Sequence, residues 1–285
     1  MSLVYNHYQL RCCIYNPAKF CSVICLSGNL PPLFLTSYFL AVASMNSQTT
    51  VKLGKRLSQL ENMLEQSYSI IWDCCCDHGL LGMSLLHKKL ADKVVFVDIL
   101  AHQMALLEQD LQRRFPADKP NWQVICQDVK ELKIPQVESQ LFVIAGVGGD
   151  KTVEFIDSLC EALPGMPFDL LICSVQGNYP VREALIRHGF SMKGEEIVYE
   201  NKRFYEAIYV TKKPGPIITA TGSSMWDWLN PDHQNYWQKI LGHYRKKALA
   251  DPLRFRSIVD DYESLLASAN ITAEVMPIFK EPNQG

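Results

Sequence analysis

Thirteen consecutive residues constrain this chain more than any others: Ile70-Ile71-Trp72-Asp73-Cys74-Cys75-Cys76-Asp77-His78-Gly79-Leu80-Leu81-Gly82. An apolar run, a tight polar loop with a glycine, and a renewed apolar run read as a short buried strand, a turn and the start of a helix. A second apolar strand follows, Val94-Val95-Phe96-Val97, and ends on Asp98. Strand, helix and strand in that order predict a parallel βαβ unit, the opening of an α/β domain.

The rest of the chain continues the alternation. Leu53, Leu57, Leu60 and Leu64 recur at helical spacing ahead of the first strand. Trp122 to Cys126 reads as a third strand and Leu141 to Ala145 as a fourth, which runs into Gly146-Val147-Gly148-Gly149-Asp150. Helix 151–162, strand 169–173, a helix from Val181 to His188 and a strand pair, Glu195 to Glu200 with Phe204 to Val210, follow. The prediction is a Rossmann-like α/β fold with a mostly parallel seven-stranded sheet, whose last pair is antiparallel, plus a C-terminal helical hairpin. In that hairpin Trp237, Ile240, Leu241, Tyr244 and Ala248 face Phe255, Ile258, Tyr262, Leu265 and Leu266 across a break at Asp251-Pro252. Trp226 and Trp228 read as core packing. The expected segments are 1–44, 45–221 and 222–285.

Candidate site residues gather at the predicted C-terminal ends of the strands, where open α/β sheets bind ligands. Asp73 ends the first strand. Asp98 ends the second, with Ile99 behind it, and an acid at that spacing suits a nucleoside-bearing cofactor, whose ribose hydroxyls it can hold. Asp77 reads in two ways, as a cap for the next helix or as a partner for a cofactor or target base. His78 is open between packing and chemistry. Gly79 leaves room for a ligand to approach the backbone, and Gly82 lets the helix approach the sheet. Asp128, followed by Val129, is either a loop cap or a partner for a cofactor's adenine amino group. Ala145 and Gly146 lead the glycine loop into the same cleft. The loop after the first strand lacks the Gly-x-Gly-x-x-Gly pattern, which argues against a nicotinamide dehydrogenase.

Charge and cysteines narrow the partners. A net charge of -2 over 285 residues means that a nucleic-acid partner needs a local basic face. The hairpin supplies a candidate in Lys239, Arg245, Lys246, Lys247, Arg254 and Arg256, with few acids nearby except Asp251. Ten cysteines show no pair of Cys-x-x-Cys motifs at zinc spacing, so no metal site is predicted, and the thiols read as reduced and cytoplasmic. Residues 1–44 carry only Arg11 and Lys19 as charges, and the apolar run Leu30 to Ala43 is too short to span a bilayer comfortably. They read as a leader foreign to the domain, ahead of an export element or an accessory segment, so no membrane partner is expected.

These motifs resemble the bacterial tRNA (adenine(22)-N1)-methyltransferase family over roughly Leu53 to Leu266. The likeness rests on Lys55-Arg56-Leu57, Asp73 to Gly79, Ile144-Ala145-Gly146-Val147-Gly148-Gly149, Val181-Arg182, Glu195 to Glu200, and Gly215-Pro216 with the helical tail. The resemblance implies methyl transfer from S-adenosyl-L-methionine to N1 of a tRNA adenine. Asp73 and Gly79 would lie by the methionine part of the cofactor, Asp98 by the ribose and Asp128 by the adenine. Cys75, Asp77, His78, Ile99, Val129, Ala145 and Gly146 would complete the cofactor site. Asp77, Ser174 and Gln176 would act at the target base. Two departures stand out: Cys75 replaces the family's glycine, and Ser174-Val175-Gln176 replaces its Gln-Pro-Asn. They keep open another RNA or a small molecule as substrate, or a non-catalytic RNA-binding module with a degenerate cofactor site. The partner expected is tRNA rather than DNA, with the protein a monomer or homodimer.

Overall fold

A computed structural model describes residues 51–117 and 120–268. The readings of residues 1–44 lie outside the described residues. Helix α1 (Lys55–Asn62) precedes β1 (Tyr68–Cys74), α2 (Leu80–His87), β2 (Ala91–Asp98), α3 (Ala101–Arg114) and β3 (Trp122–Cys126). Then come β4 (Gln140–Ala145), α4 (Gly149–Ala162), β5 (Asp169–Cys173), α5 (Asn178–Arg187), β6 (Ser191–Glu200) and β7 (Arg203–Thr211). The helices α6 (Pro231–Ala250) and α7 (Pro252–Ser268) form the expected hairpin.

The seven strands lie in the order β3-β2-β1-β4-β5-β7-β6. β1 to β5 pair in parallel, and β7 joins β5 and β6 antiparallel. The central strands read as unbroken apolar runs because both their faces are covered. Alternation decides which face each residue serves. Trp72, Val95, Val97, Phe142, Ile144 and Leu170 pack under α4 and α5 against Phe155, Ile156, Val181 and Leu185. Ile71, Val94, Phe96, Leu141 and Val143 pack under α1, α2 and α3 against Leu60, Leu85, Met104 and Leu111. The β6–β7 hairpin turns through Asn201 and Lys202, both left-handed (φ 51° and 64°), as a two-residue turn matched to the strand twist requires.

The hairpin stripe is buried as its periodicity predicts. Trp237, Leu241, Tyr244, Ile258 and Tyr262 share a third cluster with Tyr179, Trp226 and Tyr236, and Ile197 of β6 and Phe204 of β7 pack on it. Trp226 stacks on Trp228 with ring centres 5.2 Å apart, and its indole N–H donates to Thr221 O. Core packing is therefore the role of this pair. Two helices start earlier than expected. α4 begins at Gly149 and α5 at Asn178, with Pro180 tolerated in the first turn of α5. Among the described residues no helix is long and apolar enough to cross a membrane.

Candidate active site

Parallel register brings the C-terminal ends of β1 to β5 to one edge: Asp98 pairs with Cys126, Cys74 with Ile144, and Ala145 with Cys173. The strand order reverses direction between β1 and β4, and there the crevice of an open α/β sheet forms. Asp73 is buried at this point, and its Oδ2 accepts the Gly82 N–H at 2.9 Å. Burial pushes its carboxyl up to about 7; the Gly82 N–H opposes the shift, and the Asp98 carboxylate adds to it. A Cβ on Gly82 would run into the Phe96 ring and Asp73 Oδ2, so the expected close approach of helix to sheet is observed. The Asp98 carboxylate accepts two backbone N–H groups, Asp77 at 3.2 Å and Leu100 at 3.1 Å, and so ties together the loops after β1 and β2.

The structure decides several of the alternatives left open for these loops. Asp77 does not cap α2. That helix starts after Gly79, which adopts φ 63° with no side-chain cap, and the Asp77 carboxylate pairs instead with His78 Nδ1 at 2.8 Å. Both side chains are well exposed, so His78 is not a packed core histidine. The space that a Gly79 side chain would fill is held by Leu107, so this glycine serves the left-handed turn. Asp128 caps the short 3-10 turn Val129–Glu131 by accepting the Lys130 N–H at 3.0 Å. Val129 is buried in the core, and Ile99 is exposed. Cys75 has φ 55°, the left-handed region that costs an L side chain about 1–2 kcal/mol. A glycine would take this conformation without that cost. The Cys75 side chain packs against the α4-side core, and burial raises its thiol to about 12, so it stays protonated.

The β4 and β5 loops lie side by side. Gly146 N donates to Cys173 O at 3.1 Å, Val175 N to Val147 O at 2.9 Å and Gly149 N to Gln176 O at 2.8 Å. A Cβ on Gly149 would collide with the Gly177 carbonyl, so this contact needs glycine. Ser174 is buried and exchanges a hydrogen bond with Thr152 Oγ1 at 3.0 Å. It links β5 to α4, so its hydroxyl is engaged within the protein rather than offered to a target base in this structure. Gln176 is exposed, in the wall of a cleft of about 800 Å³.

That cleft lies between the glycine loop and the first turn of α5 on one side and the α6–α7 hairpin on the other. Its walls include Gly148, Lys151, Asn178, Phe204, Tyr236, Lys239, Lys247, Arg254 and Phe255. Of the six predicted basic residues, Lys239, Lys247 and Arg254 line it, each over an aromatic ring: Lys239 over Phe204 at 4.9 Å, and Lys247 and Arg254 both 5.1 Å from Phe255. Arg245 and Arg256 are engaged with Glu263 and Asp260 on the same hairpin. The hairpin is thus less purely basic than its spacing suggested. Lys246 is exposed on the same helix and does not line the cleft.

A buried polar network stands behind the cleft. Arg182, fully buried, pairs with Glu195 at 2.7 Å and Glu206 at 2.8 Å. Tyr236 donates to Glu206 Oε1 at 2.9 Å and accepts from Asn178 Nδ2 at 3.2 Å. Glu195 Oε1 also takes the backbone N–H groups of Ser223 and Ser224. Burial acts to raise the Glu195 carboxyl, but Arg182 and these donors outweigh it and hold it low. Lys151, Asn178 and Tyr236 escaped sequence reasoning. The available signal was Arg182, a charge set between Val181, Ala184 and Leu185 on an apolar helical face, which demanded buried carboxylates. Among the described residues, no group of three or more His, Cys, Asp and Glu is placed to hold a metal ion.

Residues 53–208 match the family model described as "Methyltransferase domain". A comparison with curated proteins returns no match. Among solved structures, Sp1610 of Streptococcus pneumoniae aligns at 19% identity and TM-score 0.60, covering 76% of this chain and 99% of that one. TrmK of M. capricolum, solved with S-adenosyl-homocysteine, aligns at 16% identity and TM-score 0.60, covering 75% and 98%. The m1A22 tRNA methyltransferase TrmK of B. subtilis aligns at 14% identity and TM-score 0.56, covering 79% and 99%. At these identities the likeness bears on the fold.

Proposed function

The chain belongs to the methyltransferase-domain family, and on that premise we propose that it transfers a methyl group from S-adenosyl-L-methionine to N1 of an adenine in tRNA. One observation carries this reading. The glycine loop that ends at the sheet's crevice also forms a wall of the cation- and aromatic-lined cleft, so a cofactor in the crevice and a base in the cleft would meet across Gly146 to Gly149. The solved relatives named as tRNA methyltransferases, which this chain covers almost end to end, support the substrate class.

The residues fit such a cofactor. Space beside Gly146 and Gly148 is open, with no atom near where a side chain would stand. Asp73 is a buried acid whose carboxyl lies near 7, and an ammonium or sulfonium group is the neighbour that would keep it ionised. Asp98 would accept from the cofactor's ribose, and Ile99, Asp128, Val129, Ala145 and Gly146 would complete its site. When bound, the cofactor supplies a methyl group on a positive sulfur. The protein's work is to align the base's N1 lone pair with it and to exclude water. Asp77, exposed at the mouth of the β1 loop, accepts a hydrogen bond from the base amino group and offsets charge as N1 is alkylated. Gln176 holds the base from the β5 side. Lys239, Lys247 and Arg254 take RNA phosphates, and Arg245, Lys246 and Arg256 extend that surface.

The test is transfer of labelled methyl from S-adenosylmethionine to unmodified tRNA transcripts, with the product mapped as N1-methyladenine. Label found only on small molecules, or on RNA at another atom, removes the reading. The Asp77→Asn variant is expected to keep cofactor affinity within about threefold and lose turnover by about 100-fold; a parallel loss of both would refute its role at the base.

Asp73 sets a pH dependence. Its folded-state carboxyl lies above the unfolded value, so the folded protein holds a proton that the unfolded chain has released between about pH 4 and 7. Asp73's contribution to stability therefore falls as pH rises through that window. A cationic ligand beside it reverses the cost, so S-adenosylhomocysteine should bind about tenfold tighter at pH 7.5 than at pH 5.5. Calorimetry on wild type and Asp73→Asn checks this: the variant should show a flat profile, and an unchanged slope would assign the dependence elsewhere.

A further inference from the structure

The orientation of one amide in the cleft wall is fixed by chemistry. Both oxygens of the buried Glu206 side chain face donors, Oε2 the Arg182 Nε–H at 2.8 Å and Oε1 the Tyr236 hydroxyl at 2.9 Å. Tyr236 must then donate its hydroxyl proton to Glu206, which leaves its oxygen to accept from Asn178. The nitrogen of the Asn178 amide therefore faces Tyr236, and its Oδ1 points the other way. Asn178 is 8% exposed and lines the cleft, and Oδ1 has no hydrogen-bond partner. A buried carbonyl oxygen without a donor is costly in a folded protein and rare.

We infer that Asn178 Oδ1 is a specificity determinant that accepts a hydrogen bond from the exocyclic amino group of the base entering this cleft, once the neighbouring side chains shift to admit it. This deepens the proposed function and rests on its placement of the target base. It leaves the second amino hydrogen for Asp77. Tyr236 acts as a positioning residue, since its hydroxyl keeps the amide from turning over. A base that lacks the amino group leaves Oδ1 unpaired and is disfavoured.

The test measures binding of the full-length protein to two labelled RNA oligonucleotides that differ at one base, adenine in one and purine, which lacks the 6-amino group, in the other. Wild type should prefer adenine by about tenfold or more. Asn178→Ala should bind both within about threefold of each other, with the adenine RNA weakened and the purine RNA little changed. Tyr236→Phe should fall between, and thermal melts confirm that each variant folds. Equal binding of both RNAs by wild type, no binding of either, or full discrimination by Asn178→Ala would overturn the inference. Methyl transfer without this discrimination defeats only the role of Asn178. Discrimination without methyl transfer defeats only the reaction.

Discussion

Replacing Asp98 with alanine should weaken S-adenosylhomocysteine binding by at least about 100-fold. The carboxylate accepts backbone N–H groups from Asp77 and Leu100, so it sets the position of the loops after both β1 and β2. Hydrogen bonds to a charged group contribute about 1.5–3 kcal/mol each, and the ribose contact proposed for Asp98 goes with them. Asp98→Asn keeps an acceptor but not the charge and should fall between. Calorimetric titration reads the effect, with thermal melting as the folding control. A loss below about threefold in a folded Asp98→Ala protein would remove Asp98 from the cofactor site.

The second large effect falls on stability. Arg182→Ala leaves Glu195 and Glu206 buried without their cation, and removing one partner from a buried pair costs about 3–5 kcal/mol. The damage spreads beyond α5. Glu195 holds the Ser223–Ser224 turn, and Glu206 holds Tyr236 of α6. Denaturant unfolding should show the full loss, and Arg182→Met should not recover it. A drop below about 1 kcal/mol would mean that the carboxylates are satisfied without Arg182.

What the sequence disclosed and what it hid follow from the range of the forces involved. The strand series was legible because buried parallel strands must be apolar, and the glycine loop because Gly149 leaves no room for a side chain beside Gly177. The strand-end positions of Asp73 and Asp98 were legible because both acids close apolar runs. Asp77 was read equally as a cap, since capping depends on where the helix starts, and Gly79 rather than Asp77 precedes its first turn. Ser174 follows an apolar strand as a ligand residue would, yet Thr152, 22 positions earlier, claims its hydroxyl. The hairpin's bases looked unopposed because Glu263 and Asp260 meet them only once the helices have formed and packed. The fixed amide of Asn178 was invisible, because its orientation is dictated through Tyr236 and Glu206 by Arg182. No local pattern carries a chain of that length.

The central claim is that the edge of this sheet binds S-adenosylmethionine despite Cys75. Calorimetric titration of the purified protein with S-adenosylmethionine, and separately with S-adenosylhomocysteine, tests it most directly. Because the partly buried Cys75 side chain packs against the core, the account predicts saturable one-to-one binding of both at micromolar concentrations. Absence of heat or saturation with either ligand at roughly millimolar concentration would contradict it and leave the fold as a binding module without the transfer reaction.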